Sequence, residues 1–145
     1  MTGKQDNALA VSDRLLIVDD EPAITQIVES AACELGLRSF VIHDSDQFET
    51  ALDTIKPTII FLDVVMPHRD GVELIAHLAA RKYPGRLVIM SGQPLYLEMS
   101  FNLANAQGLR PAALLTKPFR KRQILDLLRE LAARSVDLPG QRESE

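Results

Sequence analysis

The segment IIFLDVVMPHRDG, residues 59–71, decides the fold. Four apolar residues, Ile59 to Leu62, run without a break into the carboxylate of Asp63; Val64, Val65 and Met66 follow before Pro67 stops the run. An apolar stretch this short cannot make a helix of useful length, and it suits a strand buried on both faces. A carboxylate at the end of such a strand costs free energy unless a charge or hydrogen bond compensates it.

Four other short apolar runs read the same way: LLIV (15–18), FVI (40–42), LVIM (87–90) and AALL (112–115). Helically spaced segments separate them. The first opens at Pro22, carries Ile24, Ile27, Val28, Ala31 and Leu35, and stops at Gly36. The second begins near Ser45 as N-cap, carries Phe48, Ala51, Leu52 and Ile55, and ends at Pro57. The third starts at Asp70–Gly71, with Val72, Ile75, Leu78 and Ala79 as its apolar residues. The fourth runs from Pro94 to Gly108, with Leu95, Met99, Leu103 and Ala106 on its stripe. The fifth follows Pro118 with Ile124, Leu127, Leu128 and Leu131. Strands alternating with helices predict an α/β fold with a doubly wound, five-stranded parallel sheet and five helices. The expected organisation is a tail over 1–12, one domain over 13–134 and a second tail over 135–145.

The totals agree with a single domain: 145 residues, 46% hydrophobic and 25% charged. No apolar run reaches the roughly 18 residues of a membrane span, and the N-terminus lacks a signal-peptide pattern. The lone Cys33 cannot form an internal disulfide. It fits a reducing cytoplasm and reads as a small buried helix residue. A net charge of −4 argues against nucleic acid as the main partner. The charge is polarised: residues 1–70 hold 13 acidic against 5 basic residues, and residues 71–145 hold 7 against 11.

Each strand run ends at or near a polar residue: Asp19, Asp20 and Glu21; His43 and Asp44; Asp63; Ser91; Thr116 and Lys117. In a parallel sheet the strand C-termini share one edge, where ligands bind. Residues spread over the chain therefore converge into three carboxylates, a hydroxyl and an ammonium. Asp19 and Asp20 also suit a plain role as acids at a helix N-terminus. Three crowded acids call for a hard divalent cation, with Lys117 as the fixed positive charge. Such a set can hold a phosphoryl group without a Walker loop, and no GxxxxGK[ST] motif occurs.

The stretches VDDEP (18–22), FLDVVMPHRDG (61–71), MSG (90–92) and LTKPF (115–119) together resemble the signature set of response-regulator receiver domains. The resemblance covers about residues 13–134 and implies a flavodoxin-like sheet of strand order 2-1-3-4-5. It implies that Asp63 is the phospho-acceptor, taking a phosphoryl group from a phosphohistidine on a histidine kinase or histidine phosphotransfer protein. It implies that Asp20, Asp63 and the backbone carbonyl of Val65 bind Mg²⁺ directly and Asp19 through water. Ser91 matches the switch hydroxyl and Lys117 the partner lysine, and the Lys117–Pro118 bond matches one that is often cis. Autodephosphorylation would accompany acceptance, without turnover of a separate substrate.

Three departures from the family pattern stand out. Leu114 occupies the position usually held by Tyr or Phe. The stretch from Ser91 to Lys117 is longer than usual, in a manner similar to receivers found ahead of cyclic-di-nucleotide phosphodiesterase domains. Val65 and Gln93 stand where side chains tune phosphoryl lifetime, and Val65 cannot position water by hydrogen bonding. His43, His68 and His77 are too scattered to form a metal set, and Arg120, Lys121 and Arg122 read as a solvated patch. The expected output is protein–protein contact from a stand-alone receiver, with a homodimer as an option. The alternatives are a phosphorylation-independent scaffold and a phosphatase of the haloacid-dehalogenase type. The latter would need an acid at the position of Val65.

Overall fold

The computed structural model describes residues 13–66 and 71–131. The segments expected to be tails, with His68, Pro67 and Asp70, lie outside the described residues. The elements run β1 (Arg14–Val18), α1 (Pro22–Glu34), β2 (Arg38–Ile42), a 3₁₀ turn (Ser45–Gln47), α2 (Phe48–Ile55), β3 (Ile59–Asp63), α3 (Gly71–Ala80), β4 (Arg86–Ser91), α4 (Pro94–Ala106) and β5 (Ala113–Thr116). A fifth helix, α5, is described over 121–131. All strand pairs are parallel, in the order β2-β1-β3-β4-β5. This is the expected 2-1-3-4-5 sheet.

The central strands are the apolar runs of the sequence. Leu15–Val18 and Ile59–Leu62 are fully buried, and each such side chain contributes about 1.5–3 kcal/mol. Alternation divides them between two cores. Leu15, Ile17, Ile59, Phe61, Val88 and Met90 pack with α1 and α5, whereas Leu16, Val18, Ile60, Leu62, Leu87 and Ile89 pack with α2, α3 and α4.

A polar clamp sets the starts of the strands. Thr58 Oγ1 accepts from the Arg14 amide at 3.0 Å and donates to Asp13 Oδ1 at 2.8 Å. The same carboxylate oxygen accepts from Arg86 Nη2 at 3.0 Å. The beginnings of β1, β3 and β4 are thus joined by side chains as well as by the ladder.

Four local readings differ from expectation. On α3, Val72 is exposed and Leu74 takes its place on the buried face. Asp44, not Ser45, caps the segment before α2: its Oδ1 accepts from the Asp46 amide at 2.9 Å, and Ser45 is buried within the 3₁₀ turn. An aspartate in extended backbone one residue earlier reaches the free amide equally well. Cys33 is exposed, because α1 turns its Ala31–Ala32 face to the sheet. On α4 the buried residues are Leu97, Ser100 and Ala104, while Leu95 and Met99 are exposed. Its apolar residues are spread around the helix, so spacing alone allowed two faces, and packing against Leu87 and Ile89 selected the other one. Phe101 is half-buried, on a different face from exposed Met99.

Candidate functional site

Strand register brings the acids together. Val18 pairs with Leu62, so Asp19 and Asp63, one residue further along, stand side by side on strands about 4.8 Å apart. Backbone bonds continue past the strand ends and hold these residues: Asp19 N donates to Ile42 O at 3.2 Å, Val64 N to Met90 O at 3.1 Å, and Lys117 N to Ser91 O at 2.9 Å. Asp19, Asp63 and Ser91 are all buried. The Lys117–Pro118 peptide is cis, as the resemblance implied.

Lys117 reaches across this edge. Its Nζ lies 2.6 Å from Asp19 Oδ2, 2.8 Å from Glu21 Oε1 and 3.3 Å from Asp63 Oδ2. The other carboxylate oxygens bond to backbone: Asp19 Oδ1 accepts from Glu21 N at 2.9 Å, and Asp63 Oδ1 from Val65 N at 3.1 Å. Asp19 therefore also fixes the entry to α1, which begins with Pro22 and has no side-chain cap of its own.

Burial pushes the Asp63 carboxyl up to about 6, and the neighbouring Asp19 charge adds to the rise. Burial likewise raises Asp19 above its ordinary value, against the opposing pull of Lys117. Burial works against the Lys117 ammonium, but its bonds to Asp19 and Glu21 outweigh that and lift it above the usual lysine range. One ammonium does not neutralise two buried carboxylates and Glu21.

The arrangement fits a hard cation. One oxygen from each of Asp19, Asp20 and Asp63 falls within a 4.8 Å cluster. Asp19 Oδ2 is buried and, beyond its 2.6 Å ion pair with Lys117, has no hydrogen-bond partner among the described residues. All-oxygen donors with an open side suit Mg²⁺ or Ca²⁺ rather than softer metals. The open side is a cleft of about 750 Å³ lined by Asp20, Asp63, Val65, Ser91, Gln93 and Lys117, among others.

The sequence-predicted residues Asp19, Asp20, Asp63, Val65, Ser91 and Lys117 therefore meet at one edge. Glu21 was not singled out as a site residue, yet it holds Lys117; its place in the run DDE directly after β1 was the available signal. His43 also borders the site, its Nδ1 lying 3.0 Å from Asp19 O. His77 sits elsewhere, 3.7 Å from Glu49 and edge-on to Phe48. Ser91 Oγ is held in a local turn, accepting from Gln93 N at 3.0 Å. Leu114 is 39% exposed on the α4 side of β5. Arg120, Lys121 and Arg122 are exposed, as a solvated patch requires, and Lys121 pairs with Glu34 at 2.7 Å.

Gly71 guards this geometry. Its amide donates to Val64 O at 3.0 Å, and a Cβ there would meet the Val64 Cα at 2.6 Å. Gly71→Ala must push away the residue that follows Asp63. The expected loss is about 1–3 kcal/mol of stability, read by urea denaturation, with NMR shifts centred on 63–65.

The family model for the response regulator receiver domain matches residues 15–129. This chain belongs to that family, the receiver domains of two-component response regulators. It is similar to the transcriptional regulatory protein TrcR of Mycobacterium tuberculosis, 28% identical over 86% of this chain and 47% of that protein. It is also similar to the DNA-binding response regulator MtrA of Mycolicibacterium smegmatis, 25% identical over 88% of this chain and 54% of that protein. The chain spans about half the length of these curated relatives. Among solved structures, a response regulator from Colwellia psychrerythraea is 30% identical, with a TM-score of 0.72 over 84% of this chain and 98% of that one. A CheY-like receiver domain protein from Methanospirillum hungatei shares the fold, with a TM-score of 0.74 at 18% identity over 86% of this chain and 96% of that one. No helix among the described residues is long and apolar enough to cross a membrane.

Proposed function

We propose that Asp63 is the phospho-acceptor of this receiver and that its donor is a phosphohistidine on a histidine kinase or histidine phosphotransfer protein. The observation that carries this is the ammonium of Lys117 set 3.3 Å from Asp63 Oδ2, at the mouth of a cleft wide enough for a phosphoryl group. An Asp63 oxygen forms the new P–O bond as the P–N bond breaks, and the electron pair leaves with the imidazole nitrogen. Lys117 balances charge on the transferring oxygens. Ser91 stands on the same edge and can donate to a phosphoryl oxygen once it leaves its turn with Gln93. Mg²⁺, held by Asp20, Asp63 and the Val65 carbonyl with Asp19 behind them, would supply further electrostatic stabilisation of the transferring group.

Exposed, apolar Val65 offers no hydrogen bond to an attacking water, which supports slow autodephosphorylation. The protein acts on this reading as a switch that changes protein–protein contacts, not as an enzyme with turnover. The test is incubation with acetyl phosphate and Mg²⁺ followed by intact mass. One added phosphoryl group on the wild type and none on Asp63→Asn is expected; equal labelling of both would overturn the assignment.

Asp20→Asn removes one of the three anionic ligands and leaves Asp63 in place. Mg²⁺ affinity, followed by NMR titration of chelator-stripped protein, should fall by roughly tenfold or more, equivalent to about 1.4 kcal/mol.

A further inference from the structure

A second cleft opens at the opposite edge of the sheet, where β1, β3 and β4 begin. It holds about 520 Å³, within the size range of small-molecule sites. Leu52, Pro57, Leu78 and Tyr83 form apolar walls, and Arg14, Lys56, Arg81 and Arg86 line the cleft with cations, of which Arg86 pairs with Asp13 and Arg81 with Asp53 at the rim.

The walls are fixed before any ligand arrives. Tyr83 Oη donates to Pro57 O at 2.9 Å. The Tyr83 ring lies against Gly85, where a Cβ would strike the Tyr83 hydroxyl and come within 2.6 Å of Thr58 O. Arg14 Nε and Nη2 bond to Ile55 O at 2.9 Å and Lys56 O at 2.7 Å, tying the end of α2 to the strand edge. Basic residues at a helix C-terminus stabilise its dipole, and that accounts for Arg14. Arg86 starts a strand instead: its Nη2 belongs to the clamp with Asp13, and its buried Nε has no hydrogen-bond partner among the described residues. The helix dipole does not account for the apolar floor between the cations. Arg81 pairs outward with Asp53 at 2.5 Å, and no ion pair involves Lys56 among the described residues.

We propose that this cleft is a binding site for a small organic anion, an apolar ring body bearing a carboxylate or phosphate group. The ring would lie over Leu52, Pro57 and Tyr83, and its charge would face Lys56 and Arg81, the exposed cations of the lining. The site is independent of phosphoryl acceptance at Asp63.

The test is an NMR titration of the ¹⁵N-labelled full chain with naphthalene-2-carboxylate, with neutral naphthalene-2-methanol and inorganic phosphate as comparisons. Saturable shifts confined to 13–14, 52–58 and 78–86 are expected, with the neutral analogue and phosphate alone each weaker by roughly tenfold or more. The double variant Lys56→Gln/Arg81→Gln changes two exposed residues and should weaken the carboxylate by a similar factor, with the remaining spectrum unchanged. The proposal is overturned by an absence of saturable shifts at these residues, by equal binding of the neutral analogue, by binding that survives the double variant, or by shifts centred on Lys117.

Discussion

Lys117→Met should destabilise the cation-free protein by about 3–5 kcal/mol, the range for removing one partner of a buried ion pair. The ammonium is 11% exposed, and the two buried carboxylates it contacts are 0% and 4% exposed. Methionine keeps most of the side-chain volume, so the loss is electrostatic rather than a cavity. Asp19 and Asp63 then face each other without a cation. Glu21, more than half exposed, turns to solvent at little cost. Urea denaturation in the presence of chelator measures the effect. Combining Lys117→Met with Asp63→Asn should recover a large part of it, because the two groups interact directly and their effects cannot add. A double variant whose loss equals the sum of the two singles would show that the ammonium and Asp63 do not interact.

The second large effect has the opposite sign. Asp63→Asn should stabilise the cation-free protein at pH 7 by about 3 kcal/mol. The carboxyl of Asp63 ionises near 6 in the fold against an ordinary 3.8, and each unit of difference corresponds to about 1.36 kcal/mol. The sign follows from proton counting. Between 3.8 and about 6 the folded protein holds a proton that the unfolded chain has lost, so stability from this group is full below that window and declines as pH rises through it. The advantage of Asp63→Asn should therefore be absent near pH 3.5 and complete by about pH 7. Added Mg²⁺ should shrink it by favouring the ionised wild-type site. A pH-independent difference between wild type and variant would refute this origin.

Both effects come from charges that the fold gathers at one edge, and much of that was legible in the residues. Five apolar runs ending in polar groups imply a parallel sheet with its chemistry at the strand C-termini. The spacing of Asp19 from β1 and Asp63 from β3 places them in register once those strands are neighbours. The family resemblance supplied the strand order and individual roles that spacing alone could not. What was not legible depended on contacts between distant segments. Glu21 joins the site only because Lys117, 96 positions away, reaches it. The buried face of α4 was chosen by β4 and not by its own ambiguous pattern. The exposure of Cys33 follows from the side of α1 that meets the sheet. Even a single-residue shift of a cap, from Ser45 to Asp44, turns on which carboxylate or hydroxyl meets a free amide.

The clamp made by Asp13, Thr58 and Arg86 has a consequence at the far end of the strands it joins. Each of these strands is about 17 Å long and nearly inextensible, so it behaves as a rod with one end held at a common datum line. The relative heights of Asp19, Asp63 and Ser91 are then measured from that line. Their alignment is set in part by a carboxylate at the opposite end of the strands, which touches none of them.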